Sequence, residues 1–224
     1  MNRNAVLLIL GIILIAGILY ITYELALPGK NNSPTRLSSV EVKDYKGKKL
    51  SSINDFVENS IKGPQYINKK TYELAIKGQV AKPLILDYKD VTTKYRHYEK
   101  VVRLDCVEGW SVTILWEGVL VKNILDDAGP KKDAKTVIFY AYDGYSTSFP
   151  ISYFYDKPII MAFKMNKVEI PPERGWPFML VAEDKWGYKW VKWITEIELS
   201  KDTDYEGYWE RRGYSNTGDR DKPF

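Results

Sequence analysis

From Tyr72 to Leu199 the chain sets short runs rich in β-branched and aromatic residues between Gly, Pro, Asp and Asn. Such runs read as strands, because branched and ring side chains pack well on a pleated, half-buried surface while the punctuating residues supply the turns. Six are expected, at residues 72–78, 101–106, 136–142, 158–164, 178–182 and 190–199. Helical periodicity is scarcer. Val121–Ala128 puts Val121, Ile124, Leu125 and Ala128 on one face with Gly129 as its stop, and residues 53–60 are the second helical stretch. No segment repeats. The pattern predicts an α+β domain dominated by mixed sheets over residues 51–224, reached through a linker at residues 28–50.

Ahead of the linker lies a different pattern. Residues 5–21 are apolar apart from Tyr20, and no charge falls between Arg3 and Glu24. That length is near the lower limit for crossing a bilayer, and Thr22 and Tyr23 continue it with a ring suited to the interface. A cleavable signal carries a shorter apolar region of about 7–15 residues and ends in a small-x-small site. No such site follows, so residues 1–27 read as an uncleaved transmembrane anchor.

Composition narrows the function. Net charge is only +4 in 224 residues, and the basic positions are interleaved with acids, which is not the footprint of a nucleic-acid binder. Lys43, Lys46, Lys48 and Lys49 sit beside Glu41 and Asp44 and read as a solvated linker edge. Seven tryptophans and an aromatic fraction of 14% suggest a rigid core or pocket walls.

The chain has one cysteine, Cys106, at the end of an expected strand, with Gly109 and Ser111 marking a turn just after it. A lone thiol forms no internal disulfide; it is either a small apolar filler or, as a thiolate, a nucleophile or soft metal ligand. Asp105 and Glu108 disfavour a free thiolate, whereas a bound cation deprotonates the thiol itself. The only histidine, His97, lies nine positions earlier, an odd separation that puts the two side chains on opposite faces of a strand. A Cys/His dyad is therefore not expected, and zinc sites built from several Cys and His ligands are excluded by the counts.

Four blocks carry a resemblance. They are Cys106-Val107-Glu108-Gly109-Trp110-Ser111 with Trp116-Glu117-Gly118-Val119; Asp143-Gly144-Tyr145-Ser146-Thr147-Ser148-Phe149-Pro150; Gly175-Trp176-Pro177 through Lys185-Trp186-Gly187-Tyr188-Lys189-Trp190-Val191-Lys192-Trp193-Ile194; and Gly207-Tyr208-Trp209-Glu210-Arg211-Arg212-Gly213-Tyr214-Ser215-Asn216. In this order, over residues 51–219, the chain resembles the molybdopterin-dependent oxidoreductases of the sulfite oxidase fold, including the catalytic subunit of periplasmic methionine sulfoxide reductase.

The resemblance implies a sheet-rich, sulfite-oxidase-type domain in which Cys106 binds molybdenum beside the two dithiolene sulfurs of one pterin. Tyr145 matches a tyrosine placed beside the metal, where its phenol donates a hydrogen bond to a metal-bound group or to substrate. Gly187, Tyr188, Lys189 and Lys192 fall in the block that holds the pterin and its phosphate, or draws in anionic substrates. Arg174 matches a pterin contact, and Asn59 and Ser60 match a loop that closes over the cofactor. The residues departing from the family pattern are Met179, where an arginine is common, Glu183, where a proline is common, and Asn166-Lys167, where Asn-Gly is usual. Residues 107–111 lack the arginine that follows the cysteine in true sulfite oxidases, which weakens sulfite as the substrate.

The implied activity is oxygen-atom transfer on a small sulfoxide, sulfite or related oxyanion. Without ligands for a haem or iron–sulfur centre of its own, such a chain needs an electron-transfer partner of the membrane-cytochrome or quinone-linked type. Family analogy puts the domain on the extracytoplasmic face, while Lys30, Arg36 and Lys43 after the apolar run point the other way. The competing expectation is a membrane-tethered, non-enzymatic binding module in which Cys106 is packing.

Overall fold

The computed structural model describes residues 40–224. The apolar run at residues 5–21 lies outside them, and among the described residues no helix is long and apolar enough to cross a membrane. Two five-stranded sheets dominate. The first is antiparallel throughout: β5 (His97–Asp105), β6 (Ser111–Leu120) and β9 (Ile160–Met165) lie side by side, and β10 (Val168–Glu169) and β11 (Met179–Val181) both pair with β9. The second runs β4 (Leu84–Leu86), β3 (Leu74–Gly78), β12 (Ile194–Ser200), β7 (Thr136–Ala141), β8 (Ser146–Pro150). Among the described residues only β3 and β12 pair in parallel, which makes this second sheet mixed.

β6 is the spine of the first sheet, with a nearly continuous buried run from Ile114 to Val119. Its register shifts against β9 between Glu117 and Gly118. A Cβ on Gly118 would lie 2.2 Å from the Met161 carbonyl oxygen, so the two backbones approach this closely only because the residue is glycine. The chain leaves β6 directly into α2 (Val121–Ala128), whose four expected apolar residues are all buried and whose end is capped by left-handed Gly129. Two helices with little apolar periodicity complete the layer: α1 (Tyr88–Lys94), started by an Asp87/Asp90 capping box, and α3 (Ser152–Asp156).

Some expectations fail for local reasons. Residues 53–60 are not a helix. Ser52 and Asp55 form a capping box on a single 3₁₀ turn, Ile53–Asp55, and Phe56 then turns extended to bury its ring against Trp110 and Trp116, at 6.0 and 6.2 Å. Val57 follows as an exposed residue, so no second apolar turn exists to continue a helix. The strand expected from residue 190 begins only at Ile194, after the 3₁₀ turn Gly187–Lys189 and a left-handed Trp193.

Residues 41–50, read from sequence as linker, fold onto the first sheet as a small hairpin, β1 (Asp44–Tyr45) with β2 (Lys48–Lys49). Buried Glu41 ties it down, accepting from Ser52 Oγ at 2.6 Å, the Ile53 N–H at 2.9 Å and Asn166 Nδ2 at 3.2 Å. Burial opposes ionisation of Glu41, but these donors and the charge of Lys43 hold its carboxyl below the usual range. Asn166 and Lys167 are both left-handed in the two-residue turn from β9 to β10, a conformation that favours the Asn-Gly pair common in relatives.

Candidate active site

The site begins where β5 ends. The Cys106 N–H donates to the Trp110 carbonyl at 2.9 Å and the Gly109 N–H donates back to the Cys106 carbonyl at 3.0 Å, closing a tight turn in which Gly109 is left-handed. This turn sets Cys106, 7% exposed, in the wall of an open cleft of about 990 Å³ including its mouth. Burial pushes the thiol up, and the Glu108 carboxylate, 3.8 Å from Sγ, adds to it. A metal cation in the cleft would reverse that balance by binding the thiolate.

The adjoining wall is the turn Gly187–Lys189. A Cβ on Gly187 would lie 3.3 Å from both the Asp105 carbonyl oxygen and Cys106 Cα, so the missing side chain lets this turn seat on the backbone that carries the thiol. Tyr188 and Tyr145 meet here: the Tyr145 hydroxyl donates to the Tyr188 carbonyl, and the Tyr188 hydroxyl donates to the Ser215 carbonyl at 2.7 Å. Burial, followed by the charge of Glu210, holds the Tyr145 phenol well above its ordinary range, so it is a protonated donor at neutral pH.

Anion donors gather on a third side. Arg174 spends Nε on the Ile53 carbonyl at 3.2 Å and lies over the Phe56 ring, while its two Nη groups form no hydrogen bond or ion pair among the described residues. Lys192 is largely buried, which lowers its pKa against the opposing pull of Glu58. Its Nζ donates to the Asn59 carbonyl at 2.8 Å and to Glu58 at 3.2 Å, leaving one of an ammonium's three donors. Ser60 Oγ is buried in the same wall without a partner among the described residues. A buried hydroxyl, a planar guanidinium edge and an ammonium with a spare donor are the donor set for a phosphate-bearing ligand.

Eight of the nine residues expected from sequence line the cleft: Cys106, Tyr145, Asn59, Ser60, Arg174, Gly187, Tyr188 and Lys192. Lys189 does not. Its side chain is fully buried behind the wall, with Nζ 2.7 Å from Glu210 Oε1 and 2.9 Å from the Asn216 carbonyl. His97 lies at the far end of β5, roughly 30 Å from Cys106 at about 3.3 Å per residue, with Nε2 2.8 Å from the Thr92 carbonyl. Trp110, Asp143, Trp209 and Tyr214 also line the cleft; their types alone did not distinguish them from core aromatics and turn acids. Met179, at the position where relatives often have arginine, is part of the lining, and Glu183 pairs with Lys100 instead.

A thiol and a set of anion donors converge on one cleft, as the resemblance to the sulfite-oxidase-type oxidoreductases implies. The comparisons agree. The chain belongs to the oxidoreductase molybdopterin-binding domain family, which it matches over residues 60–209. It is similar to the uncharacterized oxidoreductase YuiH of Bacillus subtilis (strain 168), 32% identical over 157 residues that cover 70% of this chain and 78% of that protein. Its fold is that of the sulfane dehydrogenase SoxCD from Paracoccus pantotrophus, with a TM-score of 0.62 at 20% identity. That match covers 84% of this chain but 57% of the other, so the chain spans little more than half of that structure. The protein is a molybdopterin-dependent enzyme, and the reading of the domain as a non-enzymatic binding module is set aside.

Proposed function

We propose that the enzyme transfers an oxygen atom to or from a small sulfoxide, sulfite or related oxyanion, exchanging electrons with a separate partner. The observation that carries this reading is the setting of Cys106: the only thiol of the chain stands in a cleft whose wall also offers Arg174, Lys192 and Ser60 as unspent donors. Molybdenum on its pterin supplies the two-electron chemistry when bound. The chain's residues do the rest. Cys106 would ligate the metal, while Arg174, Lys192 and Ser60 would take the phosphate. Asn59, Gly187 and Tyr188 shape the surrounding wall.

Tyr145 keeps its proton because it is buried, and it is held by the Tyr188 carbonyl until a better acceptor enters the cleft. Trp110, Trp209 and Tyr214 narrow the space around the reacting centre and limit water. Within the matched turn, residues 107–111 carry no cation, which favours a neutral sulfoxide over sulfite. Electrons would come from a membrane cytochrome or quinone-linked protein, and the apolar run at residues 5–21 would tether the domain beside it, on the extracytoplasmic face.

Elemental analysis of the full chain made in a host that produces the cofactor tests the reading. Molybdenum in stoichiometric amount that is lost in Cys106→Ser, together with turnover of a sulfoxide by the wild type, is the expected result. Metal retained by Cys106→Ser refutes the ligand role.

A further inference from the structure

The last segment of the chain and the end of β5 meet behind the cleft. Residues 213–224 have no regular helix or strand and run as a strap along the turn Gly187–Lys189, with Tyr214 at its start in the cleft lining. The Trp186 N–H donates to the Gly218 carbonyl at 2.8 Å, the Arg220 N–H to the Asp184 carbonyl at 2.8 Å, and Trp186 Nε1 to the Lys222 carbonyl at 3.0 Å. Gly218 is left-handed, and a Cβ there would lie 2.5 Å from Lys189 Cγ, so the strap is fitted closely to the turn. All of it lies beyond the residues that match the family, which end at 209.

One side chain of the strap reaches β5. Arg220 Nη1 stands 2.8 Å from Asp105 Oδ2, while Arg103 Nε takes the other oxygen, Oδ1, at 2.7 Å. The Asp105 side chain is only 14% exposed. Asp105 immediately precedes Cys106, and its carbonyl oxygen is one of the atoms on which Gly187 rests. The two arginines are not equivalent. Arg103 belongs to β5 and moves with it, so its bond cannot fix the strand end against anything else. Arg220 belongs to the strap, which is fastened to the wall formed by Gly187 and Tyr188.

We propose that Arg220 is a positioning residue for Cys106: its bond to Asp105 clasps the end of β5 to the wall formed by Gly187 and Tyr188 and so sets where the sulfur stands in the cleft. The proposal rests on the reading of Cys106 as the molybdenum ligand. Its geometric part concerns the chain alone and is tested on cofactor-free protein.

Because the chain has a single cysteine, alkylation of the full-length protein by a neutral maleimide reports on Cys106 only. Removing a charge-assisted hydrogen bond that gates a local opening raises the open fraction, and hence the rate, on the order of tenfold in Arg220→Ala. Arg220→Lys should restore most of the protection, and Arg103→Ala should change the rate far less. Global stability in urea should fall in Arg220→Ala by about the same amount in free energy, because the bond is absent from the unfolded state as well, so the clasp is read from a wild-type alkylation rate faster than the global unfolding constant permits. A wild-type rate in Arg220→Ala, or alkylation that in both proteins runs no faster than global unfolding allows, overturns the clasp. In molybdenum-loaded protein the sulfur-to-metal charge-transfer band should shift in Arg220→Ala and return in Arg220→Lys; an unmoved band overturns the positioning role. A wild type that binds no molybdenum would sink the functional reading, while the alkylation rates would still decide the clasp.

Discussion

Replacing Lys189 by methionine separates a structural lysine from a cofactor-holding one. The ammonium and the Glu210 carboxylate are both fully buried and 2.7 Å apart, and Nζ also lies 4.9 Å above the Phe149 ring. Glu210 keeps Thr147 Oγ1 as a donor at 2.6 Å to Oε1, but its Oε2 has no hydrogen-bond partner among the described residues. Lys189→Met therefore strands a desolvated carboxylate with one neutral donor, a situation that costs about 3–5 kcal/mol. For a domain of this size that is a fall in Tm of roughly 6–20 °C. Adding Glu210→Gln removes the stranded charge yet leaves an oxygen to accept from Thr147. The double variant should therefore recover at least about 1.5 kcal/mol relative to the sum of the singles. Urea unfolding of the cofactor-free full chain measures all three. A loss below about 1 kcal/mol in Lys189→Met, or strict additivity in the double variant, would refute the reasoning and return Lys189 to the pterin phosphate.

Two further perturbations probe the frame around the site. Glu41 has its carboxyl held below its ordinary value of 4.5, so its contribution is fully present above pH 4.5 and is lost as pH falls through the folded value. Glu41→Gln should cost about 1–3 kcal/mol at neutral pH and flatten the decline of stability below pH 4.5; an acid limb identical to wild type in a pH series of urea midpoints would exclude that role. In Gly187→Ala the new methyl would meet backbone on the β5 side at 3.3 Å, which a paired strand end yields only with difficulty. A loss of about 1–2 kcal/mol is expected, with a lower molybdenum content after purification, and an unchanged midpoint would mean the wall is more pliant than the contacts imply.

How much could be read from the sequence follows from the range of each interaction. The buried face of α2 was legible because its four apolar residues are spaced by helix geometry alone, and Cys106 was placed at a strand end by a local alternation followed by glycine. The site came together through blocks of neighbouring residues, and eight of nine expected positions line the cleft. What escaped depends on partners far along the chain. Residues 53–60 look like a helix until Phe56 finds Trp110 and Trp116, more than fifty positions away. Lys189 looks like a phosphate ligand until Glu210 is found behind it. The hairpin at residues 44–49 looks like solvated linker because its anchor, Asn166, lies over a hundred residues later. Charge pattern cannot reveal a partner at that separation.

The parallel pairing of β3 with β12 joins residues 75–78 to residues 196–199. A ribosome must therefore deliver the chain through β12 before the second sheet can close, and until then one edge of β3 has nothing to bond. Contacts of such span form late. The wall beside Cys106 and the segment fastened to it are encoded just before and just after β12, so a chain that stops short of them cannot enclose a cofactor. Loading therefore waits for residues past β12, Tyr214 of the cleft lining among them.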